Sequence, residues 1–93
     1  MITIDKIGHY NIYSNNKGAY IIHNTKKSFE YGHSHINNYN TARYLATLAL
    51  KKKVPERLGR YQLISLLRIS DSKTYKIKLR NHFFEILEDV EID

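Results

Sequence analysis

Cysteine and tryptophan are absent from this 93-residue chain, and it has one proline, one methionine and four glycines. Without cysteine there is no disulfide, no thiolate nucleophile and no Cys-ligated zinc or iron–sulfur site. The glycines are scattered and form no phosphate-cradling loop of the Walker type, and no serine sits in a nucleophile elbow. No apolar run approaches the roughly 18 residues of a membrane helix, and the N-terminus lacks a secretory leader pattern. A soluble, cytoplasmic protein is the expectation. The length supports a single domain over residues 1–93 and leaves no room for two catalytic lobes, a barrel or a repeat array. A hydrophobic content of 42% with 26% charged residues belongs to a folded globular chain.

Acidic residues are also scarce until the end of the chain. Lys and Arg number 15 against 9 Asp and Glu, a net charge of +6, but the charge is uneven. Residues 1–50 carry five basic and two acidic side chains, residues 51–80 ten and two, and residues 81–93 none and five. The segments are therefore +3, +8 and −5. A +8 middle attracts polyanions at long range, with the salt dependence that phosphate contacts bring. The alternative is that the acidic tail folds back and neutralises it.

Residues 2–23 read as a β-hairpin. Ile2 and Ile4 alternate with Thr3 and Asp5, Tyr10 and Ile12 continue one face, and Ser14 to Gly18 supplies the turn. A third strand over Ser28 to Ile36 would put Phe29, Tyr31, His33 and His35 on one face. Asn40 or Thr41 can cap a helix whose apolar stripe is Tyr44, Leu45, Leu48 and Ala49, ending near Val54. Pro55 suits the first position of a second helix through Leu58, Tyr61, Ile64 and Leu67 to about Ile69. Ser70-Asp71-Ser72 then stops that helix and caps the next segment. Over residues 73–90, strand alternation of Tyr75, Ile77 and Leu79 competes with a helical stripe of Tyr75, Leu79, Phe83, Ile86 and Val90, and the longer match favours helix. The expected fold class is α+β: a small antiparallel β-sheet, a hairpin or three strands, followed by two or three helices packed on one face.

Catalytic signals are sparse. Gly32-His33-Ser34-His35 resembles one metal-binding motif of calcineurin-like phosphoesterases, and in an extended chain the two imidazoles lie roughly 7 Å apart on one side. That family's Asp-Xaa-His and Gly-Asn-His-Asp/Glu segments are missing, as is the Glu-Xaa-Lys of restriction-type nucleases. The acids Glu85, Glu88, Asp89, Glu91 and Asp93 look like a solvated helix end. A small metal-independent ribonuclease of toxin type, using His33 and His35 with Tyr31 and Arg43, is the alternative reading. The favoured one is non-enzymatic, with no cofactor and no metal.

The basic middle carries the stronger lead, as a surface for nucleic acid or a nucleoprotein complex. In a helix starting at Pro55, Arg57, Ile64 and Arg68 fall near one line, with Arg60 offset by roughly 60°. Lys51, Lys52 and Lys53 precede them, and a helix N-terminus at Pro55 itself favours anions. Two helices joined by a tight turn also outline a helix-turn-helix. Lys76, Lys78 and Arg80 extend the surface. If residues 73–90 form one helix, its lysines sit at the positive end of the macrodipole and its acids at the negative end, each placement costing about 0.3–1 kcal/mol. Tertiary ion pairs or a charged partner would offset this.

Eight tyrosines are the other anomaly. Tyr10 and Tyr20 alternate with Ile12 and Ile22 and belong to the core, whereas Tyr13, Tyr31 and Tyr39 are expected to be exposed beside the loop Asn37 to Asn40. Exposed tyrosine suits an interface and stacks on unpaired bases. An AT-rich coding sequence would also enrich Asn, Ile, Lys and Tyr together. The stretch Gly32 to Leu45, GHSHINNYNTARYL, with Arg68-Ile69-Ser70-Asp71-Ser72, resembles segments of small prophage proteins of AT-rich bacteria. That resemblance implies a mobile-element accessory role, in a class that includes anti-CRISPR inhibitors acting by occupying a nucleic-acid site.

Overall fold

A computed structural model describes residues 2–87. Strands Ile2–Ile7 (β1), Tyr10–Ser14 (β2), Tyr20–Asn24 (β3) and His33–Ile36 (β4) form a four-stranded antiparallel sheet in chain order. One helical turn, Phe29–Gly32 (α1), precedes β4; then come Tyr39–Lys51 (α2), Arg60–Ile69 (α3), Lys73–His82 (α4) and the short Phe84–Leu87 (α5). The α+β class, sheet first and helices after, is as the sequence suggests.

The strand count is higher because residues 2–23 reverse twice. Gly8 and His9 connect β1 to β2, and Gly8 takes φ +59°, which a side chain adopts only under strain. Its neighbours continue the alternation, so the reversal is hidden in the pattern. The second turn lies where expected, and Asn15 Oδ1 accepts from the backbone N–H of Lys17 (2.9 Å) and Ala19 (3.2 Å) to hold it. The strand expected over Ser28 to Ile36 is half right. Its first part winds into α1, where the Gly32 N–H donates to the Ser28 carbonyl at 2.9 Å. Only His33–Ile36 pairs with β3.

Helix boundaries shift for local reasons. Asn38, not Asn40 or Thr41, caps α2: its side chain accepts from the Thr41 N–H at 3.0 Å. The helix stops at Lys51 because Lys52 turns left-handed (φ 54°) and the Lys53 N–H donates back to the Leu48 carbonyl at 3.1 Å. Pro55 starts no helix; residues 52–59 are a loop, and α3 begins at Arg60 where Gln62 Oε1 accepts from the Gly59 N–H at 3.3 Å. Arg57 therefore lies off the helix, and neither the expected line with Ile64 and Arg68 nor the tight turn of a helix-turn-helix forms.

Residues 73–82 are helical, resolving that ambiguity against a strand, and Ser72 Oγ caps them by accepting from the Tyr75 N–H at 3.2 Å. The helix breaks at Phe83, so the expected dipole conflict is smaller: Arg80 and His82 occupy its last turn, where cations are favourable. Lys73 and Lys76 still stand near its N-terminus, with Asp71 just before it. Val90 and the acids Glu88, Asp89, Glu91 and Asp93 lie outside the described residues.

Cross-strand register puts Tyr10, Ile12, Ile22, Asn24, Ser34 and Ile36 on the inner face of the sheet, where all are buried. Ala42, Leu45, Ala46, Leu48 and Ala49 of α2 cover them, the alanines permitting close approach. Leu63, Leu66, Leu67 and Ile69 of α3 and Tyr75, Leu79 and Phe83 complete the core. Each large apolar side chain contributes about 1.5–3 kcal/mol on burial. Tyr44, expected in the stripe, is exposed. No described helix is long and apolar enough to cross a membrane.

Candidate functional site

Four chain reversals meet at one end of the molecule: the β1–β2 turn, the β3–α1 connection, the end of α2 and the α3–α4 corner. Buried Asn24 ties two of them, its amide donating to the Ile69 carbonyl at 2.9 Å while Oδ1 accepts from the Lys26 N–H at 2.9 Å. Lys27 Nζ donates to the Arg68 carbonyl (3.2 Å) and reaches the Ser70 carbonyl (3.5 Å), completing the C-terminus of α3. The Tyr75 hydroxyl donates to the Lys53 carbonyl at 2.6 Å, holding the loop after α2 against α4. His9 Nε2 lies 3.6 Å from Asp71 Oδ2, too far for a hydrogen bond.

The result is a cationic corner. Burial holds the His9 pKa below its ordinary value, Lys26 and Lys52 lower it further, and Asp71 opposes them. Lys76 is likewise lowered, first by desolvation and then by Lys27 and Arg80, again against Asp71. Lys26 and Lys52 thus lie within electrostatic reach of His9, and Lys27 and Arg80 within reach of Lys76, with Asp71 acting on both. Lys26, Lys52 and Lys53 are exposed; Lys76 is half-buried.

Of the residues singled out in the sequence, Lys52 and Lys76 are brought together here, while Lys53 and Arg68 join through their main-chain carbonyls and Lys51 ends α2 one residue before Lys52. Others are not. Arg57 lines a groove of about 490 Å³ with Glu56, His82, Phe84 and Glu85 at the far end of α4. Arg60 starts α3, about 12 Å along the helix from Arg68. Lys78 is exposed on α4, whereas Arg80, half-buried near its end, stays within electrostatic reach of Lys76. His9, Lys26 and Lys27 were missed, because they sit singly or in a pair within strand connections while the charge signal lies in residues 51–80.

The tyrosines divide differently from expectation. Tyr31 is 70% exposed, but Tyr13 and Tyr39 are half-buried. The Tyr39 hydroxyl donates to Asp5 Oδ2 at 2.6 Å, its ring packs 5.9 Å from that of Tyr20, and Arg43 Nη1 meets the same carboxylate oxygen at 2.6 Å. These contacts hold Asp5 below its ordinary pKa, the Tyr39 hydrogen bond foremost, and raise the pKa of Tyr39. Tyr39 is a packing residue rather than a free contact. Tyr61, 82% exposed, borders a groove of about 610 Å³ with His35, Asn37, Gln62, Ile64 and Arg68.

His33 and His35 project from the outer face of the sheet with ring centroids 5.1 Å apart. His33 Nδ1–H donates to the Phe29 carbonyl. No group of three or more His, Cys, Asp or Glu suited to hold a metal occurs among the described residues. Arg43 pairs with Asp5 on the helix side of the sheet, so the set of Tyr31, His33, His35 and Arg43 is not assembled. No family model, curated protein or solved structure matches the chain.

Proposed function

We propose that the protein is a small non-catalytic binding protein that engages nucleic acid, free or within a nucleoprotein complex, through the cationic corner. The observation that carries this reading is the clustering of Lys26, Lys27, Lys52 and Lys76 from three separate segments of the chain around Asp71, the carboxylate that acts on both His9 and Lys76. Cations from distant segments, held together by long-range folding, form a predominantly positive surface that a phosphate backbone can track. Lys27 is the exception in kind, since its ammonium already serves the α3 carbonyls. In the mobile-element setting implied by the resemblance of residues 32–45, the protein would occupy the nucleic-acid site of a host nucleoprotein, as anti-CRISPR proteins do.

The test uses Lys26→Glu/Lys52→Glu, two exposed positions whose side chains leave the core untouched. With the fold retained by circular dichroism, affinity for labelled DNA and RNA at low salt should fall at least tenfold. Unchanged affinity for nucleic acid and for any partner captured from the host would overturn the reading.

A further inference from the structure

The sheet has a second face. Register places Thr3 and Lys6 of β1, Asn11 and Tyr13 of β2, Ile21 and His23 of β3, and His33 and His35 of β4 opposite the core. The contacts of α2, α3 and α4 with the sheet run through the core side. On the outer side the rings form a continuous chain. Tyr13 stands 6.5 Å from His23, His23 5.3 Å from Phe29, Phe29 stacks on His33 at 4.2 Å with planes 9° apart, and His33 meets His35 at 5.1 Å. Ile21, only 4% exposed and outside the core cluster, stands on this same face, paired in register with Tyr13 and His35.

We propose that this outer face is a stacking platform for the unpaired bases of a single-stranded nucleic acid. Aromatic and imidazole rings offer π-faces to any base, which supports sequence-tolerant binding to single strands. The rings are pre-oriented. His23 Nε2–H donates to the Lys27 carbonyl at 2.9 Å, His33 is fixed by the Phe29 carbonyl, and Phe29 is anchored by α1, so little side-chain freedom is lost on binding. Charge selects the same ligand. Among the described strand residues no carboxylate projects from the outer face, because Asp5 points to the helix side and is bound by Tyr39 and Arg43. Lys6 stands at one edge of the platform, and the Lys26–Lys27 segment joins it at the other through the His23 contact. Glu30 of α1 is the nearest carboxylate in sequence and is exposed. Phe29 and His35 keep open surface, at 39% for the former.

The inference takes its ligand class from the proposed function and shares the Lys26–Lys27 edge with it, but its rings lie outside the cationic corner, so the alanine variants test the platform alone. Fluorescence anisotropy would compare a labelled oligothymidylate of about 20 nucleotides with a duplex of equal length. Phe29→Ala/His35→Ala should weaken single-strand binding about tenfold or more and leave duplex binding unchanged, while His35→Phe retains single-strand affinity. His35→Ala alone, at an exposed position, replaces the double variant if that loses its fold. A folded alanine variant with unchanged single-strand affinity overturns the platform, as does a wild-type protein that binds no single strand. Weakening by Lys26→Glu/Lys52→Glu without weakening by the alanine variants leaves the cationic corner standing and removes the platform. The reverse pattern removes the corner and keeps the platform.

Discussion

The side-chain amide of Asn24 donates to the main-chain carbonyl of Ile69 across 45 residues of sequence, at 2.9 Å and with no exposure to solvent. The same side chain accepts from the Lys26 N–H, so one residue satisfies an orphan carbonyl at the end of α3 and fixes the path that carries Lys26 and Lys27. Asn24→Ala leaves both backbone groups without this partner. The bond to the Ile69 carbonyl is buried, and an unsatisfied buried group costs about 1–3 kcal/mol, so a loss of about 1–3 kcal/mol is expected. Urea denaturation checks it, through a lower midpoint at constant slope.

A second pair tests the hidden reversal. Gly8 sits at φ +59°, and a Cβ built there would approach Leu50 Cδ1 to 2.5 Å; Gly18 sits at φ +78° with nothing within 4 Å. Both alanine variants suffer the left-handed backbone penalty, about 1–2 kcal/mol. Gly8→Ala must additionally displace Leu50. It should therefore be the less stable of the two, and Leu50→Ala should shrink the difference between Gly8→Ala and its own parent. Equal unfolding midpoints for the two single variants would count against the contact.

Asp5, Tyr39 and Arg43 make a pH-sensitive brace between β1 and α2. The folded carboxyl titrates below its ordinary 3.8, with the Tyr39 hydrogen bond the largest cause. A depressed folded pKa means that the brace contributes fully above about 3.8 and is lost as pH falls through the lower folded value. Asp5→Asn and Tyr39→Phe should each flatten that acid limb in urea titrations below pH 4. Neither should change nucleic-acid affinity at neutral pH, since Tyr39 faces its own fold.

Much of this was legible in the sequence where local periodicity and burial agree. Tyr10, Ile12 and Ile22 alternate and are buried; Leu45, Leu48 and Ala49 recur at helical spacing and are buried. The failures came where a tertiary contact decides. Residues 29–32 alternate well enough for a strand, but α1 forms where the Gly32 backbone passes so close to Lys27 that an added Cβ would stand 2.6 Å from its Cβ. Pro55 is a good helix starter in isolation, yet the loop is held elsewhere, by Tyr75 on Lys53 and by His82 Nε2–H donating to the Glu56 carbonyl at 3.1 Å. Likewise the charge run at 51–53 was visible, while its meeting with Lys26, Lys27 and Lys76 depends on Asn24 and Ile69. No spacing rule in the chain encodes that meeting.

His9 can report on what binds the cationic corner. Its pKa is held below 6.5, by desolvation first and by Lys26 and Lys52 after it, with Asp71 pulling the other way. As pH falls through 6.5 the unfolded chain takes the proton before the folded one does. Stability on this account is complete above about 6.5 and declines as pH falls toward the folded value. His9→Asn should remove that part of the decline. A polyanion seated on Lys26 and Lys52 neutralises two of the charges that disfavour His9 protonation, so its pKa must rise on binding. An NMR titration of the His9 ring with and without oligonucleotide measures this directly: an upward shift places phosphate at the corner, and an unchanged curve in a saturated complex places it elsewhere.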